Sequence, residues 1–107
     1  MDPIKPIFFS ARCLRRLNKK YGTKMTMTDI RMLYFLRQIG PQTERGLCCL
    51  NVWYRVKLMI QRLEEYHLIA FNKREKYEIT IDGMMRLEIF EKMLKNARFR
   101  EGSTNFN

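Results

Sequence analysis

The stretch from Trp53 to Arg62 carries the residues best suited to chemistry with a polyanion. It reads Trp-Tyr-Arg-Val-Lys-Leu-Met-Ile-Gln-Arg. At helical spacing Val56, Met59, Ile60 and Leu63 share one side. That leaves Tyr54, Arg55, Lys57, Leu58, Gln61 and Arg62 on the other. Arginine and lysine neutralise phosphate, arginine can hold guanine through two parallel hydrogen bonds, and glutamine can read adenine. Trp53 and Tyr54 add flat apolar surface that can pack on sugars and thymine methyls. Acid enters only at the far end, as Glu64 and Glu65, the reverse of what a helix dipole favours. A polyanion at the front would account for that order; a solvated helix face is the plainer alternative.

A second cationic group, Lys73, Arg74 and Lys76, occupies a short polar stretch where phosphate contacts are expected. Thr43 and Asn51 could also donate to phosphate, although helix capping explains both. Catalysis finds little support. The single His67 falls at a helix end, and Asp29 and Asp82 stand at helix starts. The five glycines are scattered, with no phosphate-cradling loop. Cys13, Cys48, Cys49 and His67 show no zinc-ligand spacing, and no motif calls for a cofactor. An odd cysteine count with an adjacent pair makes a poor disulfide set, which favours a reducing, cytoplasmic setting. Cys48 and Cys49, in a short apolar helix, are expected to be buried and inert.

These residues need elements to hold them. Phe8, Ala11, Leu14 and Leu17 predict a helix over about 7–21, stopped by Gly22. Its polar face carries Arg12, Arg15, Arg16, Lys19 and Lys20, with Lys24 beyond, and no acid lies between Asp2 and Asp29. A second helix starts near Thr28, capped there, with Leu33, Leu36 and Ile39 inward, and ends at Gly40-Pro41. Thr43 opens a short helix over about 44–50, with Leu47 and Leu50 inward. Asn51-Val52 makes a tight corner, and the fourth helix covers about 52–66. A hairpin follows, with strands 68–71 and 76–81, Tyr77, Ile79 and Ile81 on one side, and a tip at 72–75. Met84, Leu87, Phe90 and Leu94 predict a last helix over about 83–99, and Met85, Ile89 and Met93 exceed one small core's needs.

Composition sets the outer limits. The 107 residues are 46% hydrophobic and 30% charged, with a net charge of +10. This fits one folded domain and favours nucleic acid as partner. No apolar run is long enough to cross a membrane, and the N-terminus lacks a signal-peptide pattern. The fold class expected is mainly α with a β-hairpin.

Three segments carry a resemblance. Thr26-Met27-Thr28-Asp29-Ile30-Arg31-Met32-Leu33-Tyr34-Phe35-Leu36, running to Gly40-Pro41-Gln42-Thr43, resembles the opening of a winged helix-turn-helix domain. Gln61-Arg62-Leu63-Glu64-Glu65-Tyr66-His67-Leu68-Ile69 is similar to the end of a recognition helix leading into the wing. Tyr77-Glu78-Ile79-Thr80-Ile81-Asp82-Gly83 is similar to the return strand and the next helix. The likeness covers about 26–95 and is greatest to MarR-type and PadR-type bacterial transcription regulators. Three features depart from that pattern: the short third helix and its corner are about one residue tighter, Trp53-Tyr54 open the recognition helix, and His67 stands where glycine is frequent. The resemblance implies a single winged-helix domain over 1–107 with a core at about 26–82; the polar run at about 101–107 itself reads as a disordered tail. It implies sequence-specific double-stranded DNA binding and transcriptional regulation by a homodimer joined through its N- and C-terminal helices. Any small-molecule effector would bind between those helices and the core. The alternatives are a DNA-binding accessory protein of a mobile element or plasmid, a protein-interaction winged helix docking through Trp53-Tyr54, and RNA binding through the first helix.

Overall fold

In a computed structural model of the chain, residues 4–104 are described, with side chains over 10–97. Five helices and one hairpin follow in order: α1 (Ile4–Tyr21), α2 (Met27–Ile39), α3 (Glu44–Leu47), α4 (Trp53–Glu65), β1 (Ile69–Phe71), β2 (Tyr77–Ile79) and α5 (Ile81–Thr104). The protein is thus mainly helical with a small antiparallel hairpin. Residues 28–87 form one compact unit, and the flanking segments, up to residue 27 and from 88 onward, form another. No helix among the described residues is long and apolar enough to cross a membrane.

Within residues 28–87, local chemistry sets each boundary. α2 stops at Gly40, whose φ of 98° only glycine adopts without strain, while its N–H donates to the Leu36 carbonyl at 3.0 Å. Thr43 starts α3 by accepting from Gly46 N–H at 3.0 Å. The chain then turns through Asn51, whose side chain accepts from Val52 N–H at 2.8 Å. α4 ends at Glu65 with Tyr66 as its C-cap; His67 beyond takes a left-handed φ of 59°, and Leu68 N–H closes back on Leu63 at 2.9 Å. The hairpin pairs Ile69 with Ile79 and Phe71 with Tyr77. Gln42 and Tyr77 exchange backbone hydrogen bonds of 2.9 and 2.6 Å, so the α2–α3 connection is tied to the hairpin.

The core of this unit is Ile30, Met32, Leu33 and Leu36 from α2, Leu47 from α3, Val56, Met59, Ile60 and Leu63 from α4, then Leu68, Ile69 and Leu87. α4 packs against both α3 and β1. Each such side chain contributes about 1.5–3 kcal/mol on burial, so the α4 stripe fixes which side of that helix faces out. At the last turn Thr80 accepts from Gly83 N–H at 3.1 Å and donates to the His67 carbonyl at 2.7 Å. A side chain at Gly83 would collide with the Leu68 carbonyl and the Ile79 side chain.

In the flanking unit, α1 buries Cys13, Leu14 and Leu17, and Met25 and Phe90 are buried as well. Burial pushes the Cys13 thiol above its ordinary range, against the pull of Arg16 and Arg12. Asn18 shapes the chain after α1. Its amide donates to the Met25 carbonyl at 2.9 Å and accepts from Met25 N–H at 2.9 Å and the Thr23 hydroxyl at 2.8 Å.

Several sequence expectations shift. α3 ends at Leu47, shorter than 44–50, and Leu50 is half-buried. Ile39, the last residue of α2, is 59% exposed and not inward. Thr28 lies inside the first turn of α2, which begins at Met27. Ile81 opens α5 instead of ending the return strand and is 79% exposed, because the Thr80 cap starts the helix there. Gly83 takes the inward place expected of Met84. Cys48 is half-buried and Cys49 exposed, so neither is the fully buried thiol expected. α5 continues helically through 101–104, within the tail expected to lack structure; 105–107 lie outside the described residues, as does the Phe8 side chain.

Candidate nucleic-acid interface

α4 turns its buried stripe inward and offers Tyr54, Arg55, Lys57, Leu58 and Gln61, all exposed. Tyr54, Leu58 and Gln61, spaced four and three residues apart, stand opposite the buried side and form the outermost ridge. Arg55 flanks that ridge on one side and Lys57 on the other. Trp53 is exposed too, and the Lys57 ammonium sits 4.1 Å from the centre of its ring. This cation–π contact fixes both side chains one turn apart. Val52 precedes the helix without a side-chain cap, and the first turn has no acid. The front of α4 is therefore basic, aromatic and electrostatically open to an anion.

The hairpin tip is built by Asn72. Its Oδ1 accepts from Arg74 N–H at 2.9 Å and Lys76 N–H at 3.1 Å, and its amide donates to Glu78 at 3.2 Å. Glu75 takes the left-handed turn position, with φ 59°. Lys73, Arg74 and Lys76 on this turn are exposed. With Pro41, Asn72 and Glu78 they line a shallow cleft of about 400 Å³. The Phe71 and Tyr77 rings, on paired residues of the hairpin, meet at a 47° tilt with centres 4.9 Å apart. Burial raises the Tyr77 phenol above its ordinary range, and the Glu64 and Glu44 carboxylates add to that rise.

Arg62 departs from the sequence reading. Its guanidinium donates to Asp29 Oδ2 at 2.7 Å, and Asp29 is wholly buried while the Arg62 side chain is 32% exposed. The arginine expected to reach outward is thus anchored to the first turn of α2. Thr43 and Asn51 are used locally, as a cap and as a turn acceptor. Sequence reading missed two residues. Asn72 was legible as a turn former, since asparagine bonds the backbone two residues on. Asp29, read as a helix-start acid, gave no sign of its partner 33 residues away.

Nothing among the described residues groups three or more metal-ligating side chains. No protein-family model, curated protein or solved structure matches this chain.

Proposed function

We propose that this chain is a winged helix-turn-helix protein that binds double-stranded DNA and regulates transcription. In this reading α3 braces α4, α4 enters a major groove about 12 Å wide, and the hairpin is the wing. The observation that carries it is the exposed ridge of Tyr54, Leu58 and Gln61 between Arg55 and Lys57, in one compact unit with a cationic hairpin tip. Gln61, Arg55 and Lys57 would touch bases and adjoining phosphates. Lys73, Arg74 and Lys76 would hold phosphates beside the groove, where Asn72 keeps the tip in shape. Arg62 leaves the contact set and positions α4 through Asp29.

The protein would act as a homodimer in the cytoplasm. Ile81, Met84 and Met85 expose apolar surface at the start of α5, as a surface awaiting a partner does. A two-fold pair would offer α4 twice, to half-sites about one DNA turn apart.

A second reading has its own observation. Val52, Trp53, Tyr54 and Leu58 are each more than half exposed, an apolar patch on which a protein partner could dock. One experiment separates the two. Sequences bound from a random duplex pool are selected, and affinity for the winner is measured across salt concentrations with the emission of Trp53, the only tryptophan. DNA binding predicts an enriched palindrome, affinity falling steeply with salt, and its loss in Arg55→Ala/Lys57→Ala. An unenriched pool with emission indifferent to duplex favours the docking surface.

A further inference from the structure

We propose that the exposed face of α1 is a second, base-independent contact that grips duplex DNA through its phosphates. The choice of duplex rests on the DNA-binding reading above. The charge distribution motivates it. Residues 28–87 contain ten cations and seven acids, whereas the rest of the chain contains eleven cations and four acids. Most of the excess, +7 of the +10, therefore lies outside the unit that holds α4.

Much of that charge is on one surface. Arg12, Arg15, Arg16, Lys19 and Lys20 are exposed on α1, and Cys13, Leu14 and Leu17 bury the opposite side. Among the described residues, no carboxylate pairs with Arg15, Arg16 or Lys19. Residues 12–20 cover about 12 Å of helix axis at about 1.5 Å per residue. Five cations over that length approach the charge density of a duplex, about one phosphate per 1.7 Å. Like charges three and four residues apart disfavour a helix, and an anion over this face would relieve that repulsion.

The same chemistry sets other occupants aside. A second copy pairing through this face would oppose like charges. A membrane-surface helix sinks its apolar side into lipid, but here Cys13, Leu14 and Leu17 are buried in the protein. Single-stranded RNA calls for a series of aromatic stacking platforms, and among residues 11–21 the one exposed aromatic is Tyr21, at the end of α1, with the Lys20 ammonium 5.6 Å from its ring centre.

The test uses the full chain carrying Arg15→Gln, Arg16→Gln and Lys19→Gln, with binding to a random-sequence duplex followed against salt. Three lost phosphate contacts lower the slope of log affinity against log salt by about 2.7. Between about 50 and 200 mM salt the native chain then loses roughly 40-fold more affinity than the variant. The sequence recovered by selection stays the same, Arg15→Lys/Arg16→Lys with Lys19 intact keeps the native slope, and Arg15→Gln, Arg16→Gln or Lys19→Gln alone each lower it by about 0.9. An unchanged slope with duplex binding intact overturns the α1 contact and leaves the role of α4 standing. Loss of the slope in the α1 variant, with Arg55→Ala/Lys57→Ala inert, supports α1 and removes α4. Tighter binding to single-stranded RNA or anionic vesicles than to duplex also overturns the proposal.

Discussion

Replacing Arg62 with methionine separates a structural arginine from a DNA-reading one. Asp29 has no exposed surface, and its Oδ2 receives the guanidinium at 2.7 Å. Removing one member of a buried pair costs about 3–5 kcal/mol, because the remaining charge is left without compensation. Two features lower that figure here. Arg62 is itself 32% exposed, so solvent already screens part of the attraction. Asp29 also lies in the first turn of α2, where the helix dipole favours an anion by about 0.3–1 kcal/mol. The expected cost of Arg62→Met is therefore about 2–3 kcal/mol, or a fall in Tm of roughly 10–20 °C.

The reverse change should cost less. With Asp29→Asn, the arginine can swing its partly exposed head into water, and loss of the charge-assisted hydrogen bond costs about 1.5–3 kcal/mol before rehydration offsets part of it. Asp29→Asn/Arg62→Met should lie close to the asparagine variant, because the buried charge is gone. Urea and thermal melts followed by circular dichroism give all three values. If Arg62→Met melts like the native protein yet binds duplex DNA more weakly, Arg62 is a DNA contact and the anchoring role assigned to it is wrong.

Other expectations follow from single residues. Gly83→Ala should destabilise by about 1–3 kcal/mol, since the new methyl meets the Leu68 carbonyl, which is backbone and cannot move aside; a neutral effect in urea melts would refute the close approach. His67→Gly should stabilise by up to about 1 kcal/mol by relieving a left-handed backbone, as read from the same melts. Asn72→Ala removes three side-chain hydrogen bonds from the hairpin tip, so it should weaken duplex binding as much as losing the tip cations while leaving the melt of α4 nearly intact. Tyr77 holds its proton more tightly when folded, chiefly through burial. The unfolded chain therefore loses that proton first, stability falls as pH rises above about 10, and Tyr77→Phe should flatten the fall.

Much of this architecture is written in periodicity. Val56, Met59, Ile60 and Leu63 recur at helical spacing and are all buried, so the orientation of α4, and with it the exposure of Tyr54, Arg55, Lys57 and Gln61, could be read from residue order alone. The Gly40-Pro41 stop and the Thr43 cap were equally local. The misjudged residues depend on neighbours distant in sequence. Ile81 looks like the end of an alternating strand, and only the bonds of Thr80 to His67 and Gly83 start a helix there. Arg62 carries the same charge as Arg55 and lies on the same flank of α4. What divides them is a carboxylate on another helix.

That division also says how such a helix can work. A helix that presents a cationic ridge to a polyanion is pulled by whatever it binds, and it needs an attachment that the ligand does not compete for. The apolar stripe decides which side of α4 faces out, but an exchange of similar-sized apolar side chains can shift such packing by small amounts. A 2.7 Å bond from the last turns of α4 to a wholly buried carboxylate fixes that rotation. A buried ionic contact of this kind can select one arrangement even when it adds little net stability. The double variant decides this point: Asp29→Leu/Arg62→Met should match or exceed native stability by about 1–4 kcal/mol. If the rotation of α4 matters for reading bases, the same protein should bind its selected duplex less selectively, with its salt dependence unchanged. Undiminished selectivity would show that packing alone aims the helix.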